Sequence, residues 1–66
     1  MNKLNRLKRI RLELGLKQFV IAKRANIRQP LLSDFETGKL IPGPEMQRRL
    51  AKVLNVPADW LFAPDV

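Results

Sequence analysis

The chain contains no cysteine and no histidine. Without cysteine there are neither disulfides nor thiolate metal ligands to stiffen a small fold. Without histidine the side chain best suited to proton transfer near neutral pH is missing. Catalysis would fall to carboxylates, lysines, arginines and hydroxyls. A chain of 66 residues buries only about 60% of the surface its unfolded form exposes, too little to wall a large cleft. An enzyme is therefore not expected, and neither a cofactor nor a small-molecule ligand is evident. Long apolar runs are missing too. No segment approaches the ~20 residues of a membrane span, and the charged start MNKLNRLKRIRL lacks the apolar stretch of a signal peptide. A cytoplasmic protein without a membrane partner is expected. No internal repeat, linker or low-complexity tract divides the chain, so one domain over 1–66 is expected.

Acidic residues are scarce as well. Thirteen Lys and Arg stand against six Asp and Glu, a net charge of +7 and a sequence pI near 11.0. Such an excess implies an anionic partner, nucleic acid or an acidic membrane surface. Its distribution is lopsided. Every basic residue lies between Lys3 and Lys52, whereas the last fourteen residues carry only Asp59 and Asp65. That asymmetry fits a protein with one nucleic-acid face better than a merely soluble basic surface.

What the chain does have is helical periodicity. Leu4, Leu7, Ile10 and Leu14 recur at steps of three and four and predict an amphipathic helix over about 3–14, with Gly15 placed to end it. A second helix is predicted over 17–25, a third over 29–36, a fourth over 44–54 and a short fifth over 58–62, giving an all-α fold. Asn26 enters the left-handed region cheaply and can reverse the chain between the second and third helices. Pro30 is compatible with the third because a first turn has no intrahelical use for the missing N–H. Thr37-Gly38 supplies a stop. Met46, Leu50, Val53 and Leu54 face inward on the fourth helix. Two helices joined by so short a turn form a helix-turn-helix, in which the second helix enters the DNA major groove and the first crosses the backbone. Ile21, Ala22, Ala25, Ile27, Leu32 and Phe35 are positioned to meet between the pair. Gln29, Ser33, Asp34 and Thr37 are left facing outward.

Three stretches in order, RIRLELGLKQ at 9–18, IAKRANIRQPLLSDFETGK at 21–39 and RRLAKVLNVPADWLF at 48–62, resemble the lambda-repressor-like (Cro/cI, Xre) family of bacterial and phage regulators. The resemblance covers nearly the whole chain. It implies a compact five-helix domain that binds operator DNA as a homodimer and acts on transcription, here expected as a repressor, with no cofactor. By position, Gln18 matches a glutamine that contacts a DNA phosphate, and Gln29, Pro30 and Asp34 match base-reading positions, with Ser33 beside them. Lys17, Arg28 and Lys39 are the further phosphate candidates. Arg11 and Glu36 match a structural salt bridge. Ile41, Pro57, Ala58 and Trp60 lie where the family pairs and are the candidate dimer seam.

Chemistry supports several of these roles independently. Gln18 would sit beside the free N–H groups of a helix N-terminus, a ready anion site. Gln29 can offer its amide bidentate to adenine N6 and N7, and Asp34 can accept from cytosine N4 while repelling phosphates elsewhere. Trp60, Leu61 and Phe62 read mainly as core closure. Arg48 and Arg49 are weaker contact candidates than Lys39, with solvated charge as the plainer alternative. The chain also departs from the family. Asn26 replaces a glycine, and Arg28 replaces a capping hydroxyl at a cost of about 1 kcal/mol that a phosphate contact would offset. Phe19 and Val20 stand at usually polar positions, either filling space left by the small Ala25 or forming an exposed patch. Leu40 and Ile41 make an unusually apolar loop. These apolar pairs motivate a rival reading, an antitoxin or protein-interaction module on the same fold. A cationic membrane-surface peptide ranks last, since it would need neither the turn at Asn26 nor the stop at Gly38.

Overall fold

The computed structural model describes residues 5–63. Within them lie five helices and no strand: α1 (Arg6–Glu13), α2 (Gln18–Ala25), α3 (Gln29–Thr37), α4 (Pro44–Leu54) and α5 (Ala58–Leu61). Three of the starts have a local cause. Asn5 opens α1 by accepting the Lys8 N–H at 2.9 Å, and its amide donates to the Phe35 carbonyl at 2.7 Å, which fastens the start of α1 to the end of α3. Lys3 and Leu4 fall outside the described residues. Pro30 and Pro44 occupy the first turns of α3 and α4, where a missing N–H breaks no helical bond.

The ends share one device. Gly15, Asn26 and Asn55 follow α1, α2 and α4 at φ of 70°, 59° and 60°. In each case the next residue reaches back to cover an orphaned carbonyl: Leu16 N–H to Arg11 at 3.1 Å, Ile27 to Ala22 at 2.9 Å, and Val56 to Ala51 at 3.0 Å. The segments AKRANI and AKVLNV thus end α2 and α4 alike, a local echo within a sequence that has no longer repeat. Each of the three turns is followed by an apolar residue, Leu16, Ile27 or Val56, that packs on the core.

That core is a single cluster of Leu7, Ile21, Ala22, Ala25, Leu32, Phe35, Leu50, Ala51, Leu54 and Leu61. α2 packs on both α3 and α4, α4 packs on α5, and α1 lies against α3. Leu7, Ile21, Leu32 and Leu50 are almost wholly enclosed, and each such burial is worth roughly 1.5–3 kcal/mol. Two inward expectations fail. Leu14 is 50% exposed, because α1 ends one residue before it and the reversal at Gly15 delivers Leu16 to the core instead. Trp60 is 39% exposed. Its ring lies 5.0 Å from the Arg6 guanidinium, whose Nη1 donates to the Trp60 carbonyl at 2.7 Å, so it covers the outside of α1 while Leu61 enters the core.

Candidate nucleic-acid interface

The interface begins at a buried ion pair. Arg11 on α1 and Glu36 in the last turn of α3 are 8% and 3% exposed, and they meet through two bonds, Nε to Oε2 at 2.6 Å and Nη2 to Oε1 at 3.0 Å. The remaining Arg11 nitrogen, Nη1, donates to the Leu16 carbonyl at 2.8 Å. Desolvating two charges is costly, and only this forked, multiply satisfied geometry offsets it. One consequence is positional: the end of α3 cannot slide against α1.

From Glu36 the hydrogen bonds continue outward. Gln18 Nε2 donates to Glu36 Oε1 at 3.0 Å, and Gln18 Oε1 accepts from Gln29 Nε2 at 3.2 Å. A chain of four side chains therefore runs from the interior of α1, through the start of α2, to the exposed first residue of α3. Around its outer end, Gln18, Gln29, Pro30 and Ser33 line one open concavity. Lys17 and Arg28 flank it as the N-cap residues of α2 and α3, both exposed and neither capping its helix with a side chain. Neither first turn holds an acidic residue, so the free N–H groups there favour an anion. Lys39 is exposed in the turn after Gly38.

The other expected readers are placed differently. Asp34 is half-buried and is not among the residues that line the concavity, although its backbone carbonyl holds the end of α3 by accepting from the Thr37 hydroxyl and the Leu40 N–H, both at 3.3 Å. Among the described residues no Lys or Arg lies within ion-pairing distance of it. Phe19 is 56% exposed while Ala25 is fully enclosed, so Phe19 does not fill the space beside Ala25 and stands as surface. Ile41 is 84% exposed. It rims an apolar groove with Leu40, Pro42 and Phe62, away from the concavity. Of the other seam candidates Pro57 is exposed and Ala58 half-buried.

Spacing alone did not reveal three contributors. Arg49 is not mere solvated charge: it donates to the Ala25 carbonyl at 3.2 Å and so closes the end of α2 from α4. Asn5 and Asn55 act through capping. A polar residue just before an amphipathic run, and an asparagine just after one, were the signals available.

A nine-residue α3 is about 13 Å long, and a helix of that kind fits the major groove of B-form DNA. Among the described residues no group of acidic side chains is arranged to hold a metal, and no helix is long and apolar enough to cross a membrane. No curated protein matched the chain. A family model described as helix-turn-helix, of the Xre/Cro/cI-like kind, matches residues 7–61, which takes in all of α2 through α5 and all but the first residue of α1. The buried pair that aligns α1 with α3, the tight reversal at Asn26 and the polar start of α3 are the local anatomy of that match, and the chain belongs to the lambda-repressor-like helix-turn-helix family of DNA-binding regulators.

Proposed function

We propose that the chain is a sequence-specific repressor of transcription that reads the major groove of double-stranded DNA with α3, as a homodimer on a two-fold operator in the cytoplasm of a bacterial or phage-infected cell. The gathering of Gln18, Gln29, Pro30 and Ser33 on one surface, braced from inside by Arg11 and Glu36, carries the reading. In it Gln29, Pro30, Ser33 and Asp34 meet base edges. Gln18, Lys17, Arg28 and Lys39 meet phosphates. The seam lies at Ile41, Pro57, Ala58 and Trp60, where an exposed isoleucine beside an apolar groove gives a surface suited to self-complementary pairing.

Selection of random duplexes followed by affinity measurements across salt tests this. One motif should emerge, with half-sites about 34 Å apart and a log–log salt slope on the order of −4 to −7. A flat salt response, or a single short asymmetric footprint, would remove the dimeric groove-binding reading. The exposed Phe19, Leu40 and Ile41 favour one rival, a protein-interaction module such as an antitoxin. Duplex selection that returns no motif, together with tight capture of a protein ligand through those residues, would establish that rival instead.

A further inference from the structure

We propose that the apolar groove beside the loop between α3 and α4 is a docking site for another protein: an acidic peptide segment that seats an apolar side chain there and whose arrival opposes operator binding. The second half rests on the seam proposed above at Ile41. The docking itself does not.

Shape narrows the occupant first. The groove runs from the start of α1 past Leu40, Ile41 and Phe62, and its floor reaches Leu7 and Leu61 of the core. Leu40 and Ile41 are 48% and 84% exposed, and apolar side chains left in water beside such a concavity mark a contact surface. A volume of about 210 Å³ falls short of the ~300–1,000 Å³ that encloses a drug-sized ligand. One or two anchoring side chains fit it better than a free small molecule, and a bare phosphate would gain nothing from so apolar a floor.

Charge narrows it further. Arg6 and Arg9 line the groove, and no Asp or Glu does. Among the described residues neither arginine has an ion-pair partner. Arg6 is held in place: its guanidinium lies 5.0 Å from the centre of the Trp60 ring, and its Nη1 donates to the Trp60 carbonyl at 2.7 Å. The opposite edge, Nε with Nη2, is the edge that Arg11 forks onto Glu36. In Arg6 that edge makes no bond among the described residues, although Nε is buried. A carboxylate is the acceptor it lacks. Because Arg6 is already ordered, little side-chain freedom is lost when one arrives. A second copy of the chain answers this need poorly, since it brings a net charge of +7 to a wall that already carries two arginines. An acidic segment covers the same isoleucine and neutralises both. The two occupants therefore compete, and the acidic one displaces the copy on which two-fold DNA reading depends.

The test selects a displayed library of random short peptides on the native chain without DNA. Recovered peptides should share Leu, Ile or Phe flanked by Asp or Glu, and a synthetic copy should bind about tenfold more weakly to Arg9→Glu and to Leu40→Ala. Both positions are exposed, so neither variant should lose the fold, which thermal melts check. Phe19→Ser, at an exposed apolar position outside the groove, should bind the peptide as the native chain does. Added to the native chain on its selected operator, the peptide should release the DNA, and at the same concentration it should leave the Arg9→Glu complex in place. Peptides without the acidic and apolar pattern, or native binding by either groove variant, would overturn the docking site. A peptide that binds through Arg9 and Leu40 yet leaves the operator complex intact would overturn the competition with pairing. A native chain that selects no operator motif but binds these peptides through the groove would overturn the DNA reading and leave the docking site standing.

Discussion

Asp34 is the residue whose role depends most on a local balance. Half-buried near the end of α3, with no cationic partner within ion-pairing distance among the described residues, it carries a negative charge on a chain of net charge +7. Near DNA that charge meets phosphate repulsion, which a hydrogen bond from cytosine N4 would offset at the right base pair only. Asp34→Ala should therefore tighten binding to random DNA and relax preference at one base pair per half-site, by about 1–3 kcal/mol of discrimination. Equilibrium affinities at one salt concentration, with the duplex selection repeated on the variant, check this. An unchanged motif at every position would remove Asp34 from the readers. Which residues surround the start of α3 was legible from helical spacing and the family resemblance, and the structure gathers Gln18, Gln29, Pro30 and Ser33 in one concavity. Their connection was not. The Glu36 to Gln18 bond spans 18 residues, and whether two side chains so separated meet depends on how α1, α2 and α3 pack, which no local pattern encodes.

At the scale of the element, the stops were read from single residues and the starts less well. Gly15, Asn26 and Gly38 follow α1, α2 and α3 at positive φ, as their chemistry requires. Asn55 makes the same turn after α4, and only the pairing of AKVLNV with AKRANI brings it out. Leu14 misled because periodicity continues by one residue past the point where the helix stops; the pattern records which face is apolar, while the cap decides how far that face extends. Asn26 sets the angle at which α3 is presented, so its conformation has a measurable cost. Asn26→Ala should lower stability by about 1 kcal/mol, and Asn26→Gly should be neutral or mildly stabilising, as read from thermal melts. The same pair at Asn55, which makes the same left-handed turn after α4, should reproduce the stability change. Equal melts for alanine and glycine at both positions would show that left-handed strain has no part in these caps.

On the scale of the whole molecule, the radius of gyration of 10.7 Å is the roughly 10–11 Å of a compact chain this size. On the DNA-reading function proposed above, one copy of so compact a domain meets few base pairs, and the second copy of the proposed homodimer supplies the rest of the discrimination. The same compactness hides a division between near and distant contacts. Most ends and turns are closed by neighbours in sequence, through the caps at Gly15, Asn26 and Asn55. The tie between α1 and α3 instead joins residues 25 and 30 positions apart, through Arg11 to Glu36 and Asn5 to the Phe35 carbonyl. Removing one member of the buried pair strands the other's charge, so Glu36→Ala should cost roughly 3 kcal/mol. An unchanged melting midpoint would show the pair to be incidental. How that loss divides between the two directions of the reaction follows from the same geometry. Local turns form in microseconds, whereas a bond across 25 residues must wait for loop closure. A pair that closes so late would be absent from the transition state, so its removal should accelerate unfolding with little change in the folding rate in a stopped-flow chevron; a slowed folding rate would place it in the transition state instead. The bond that aims the DNA-facing helix is then also the latch that sets how long each molecule stays folded.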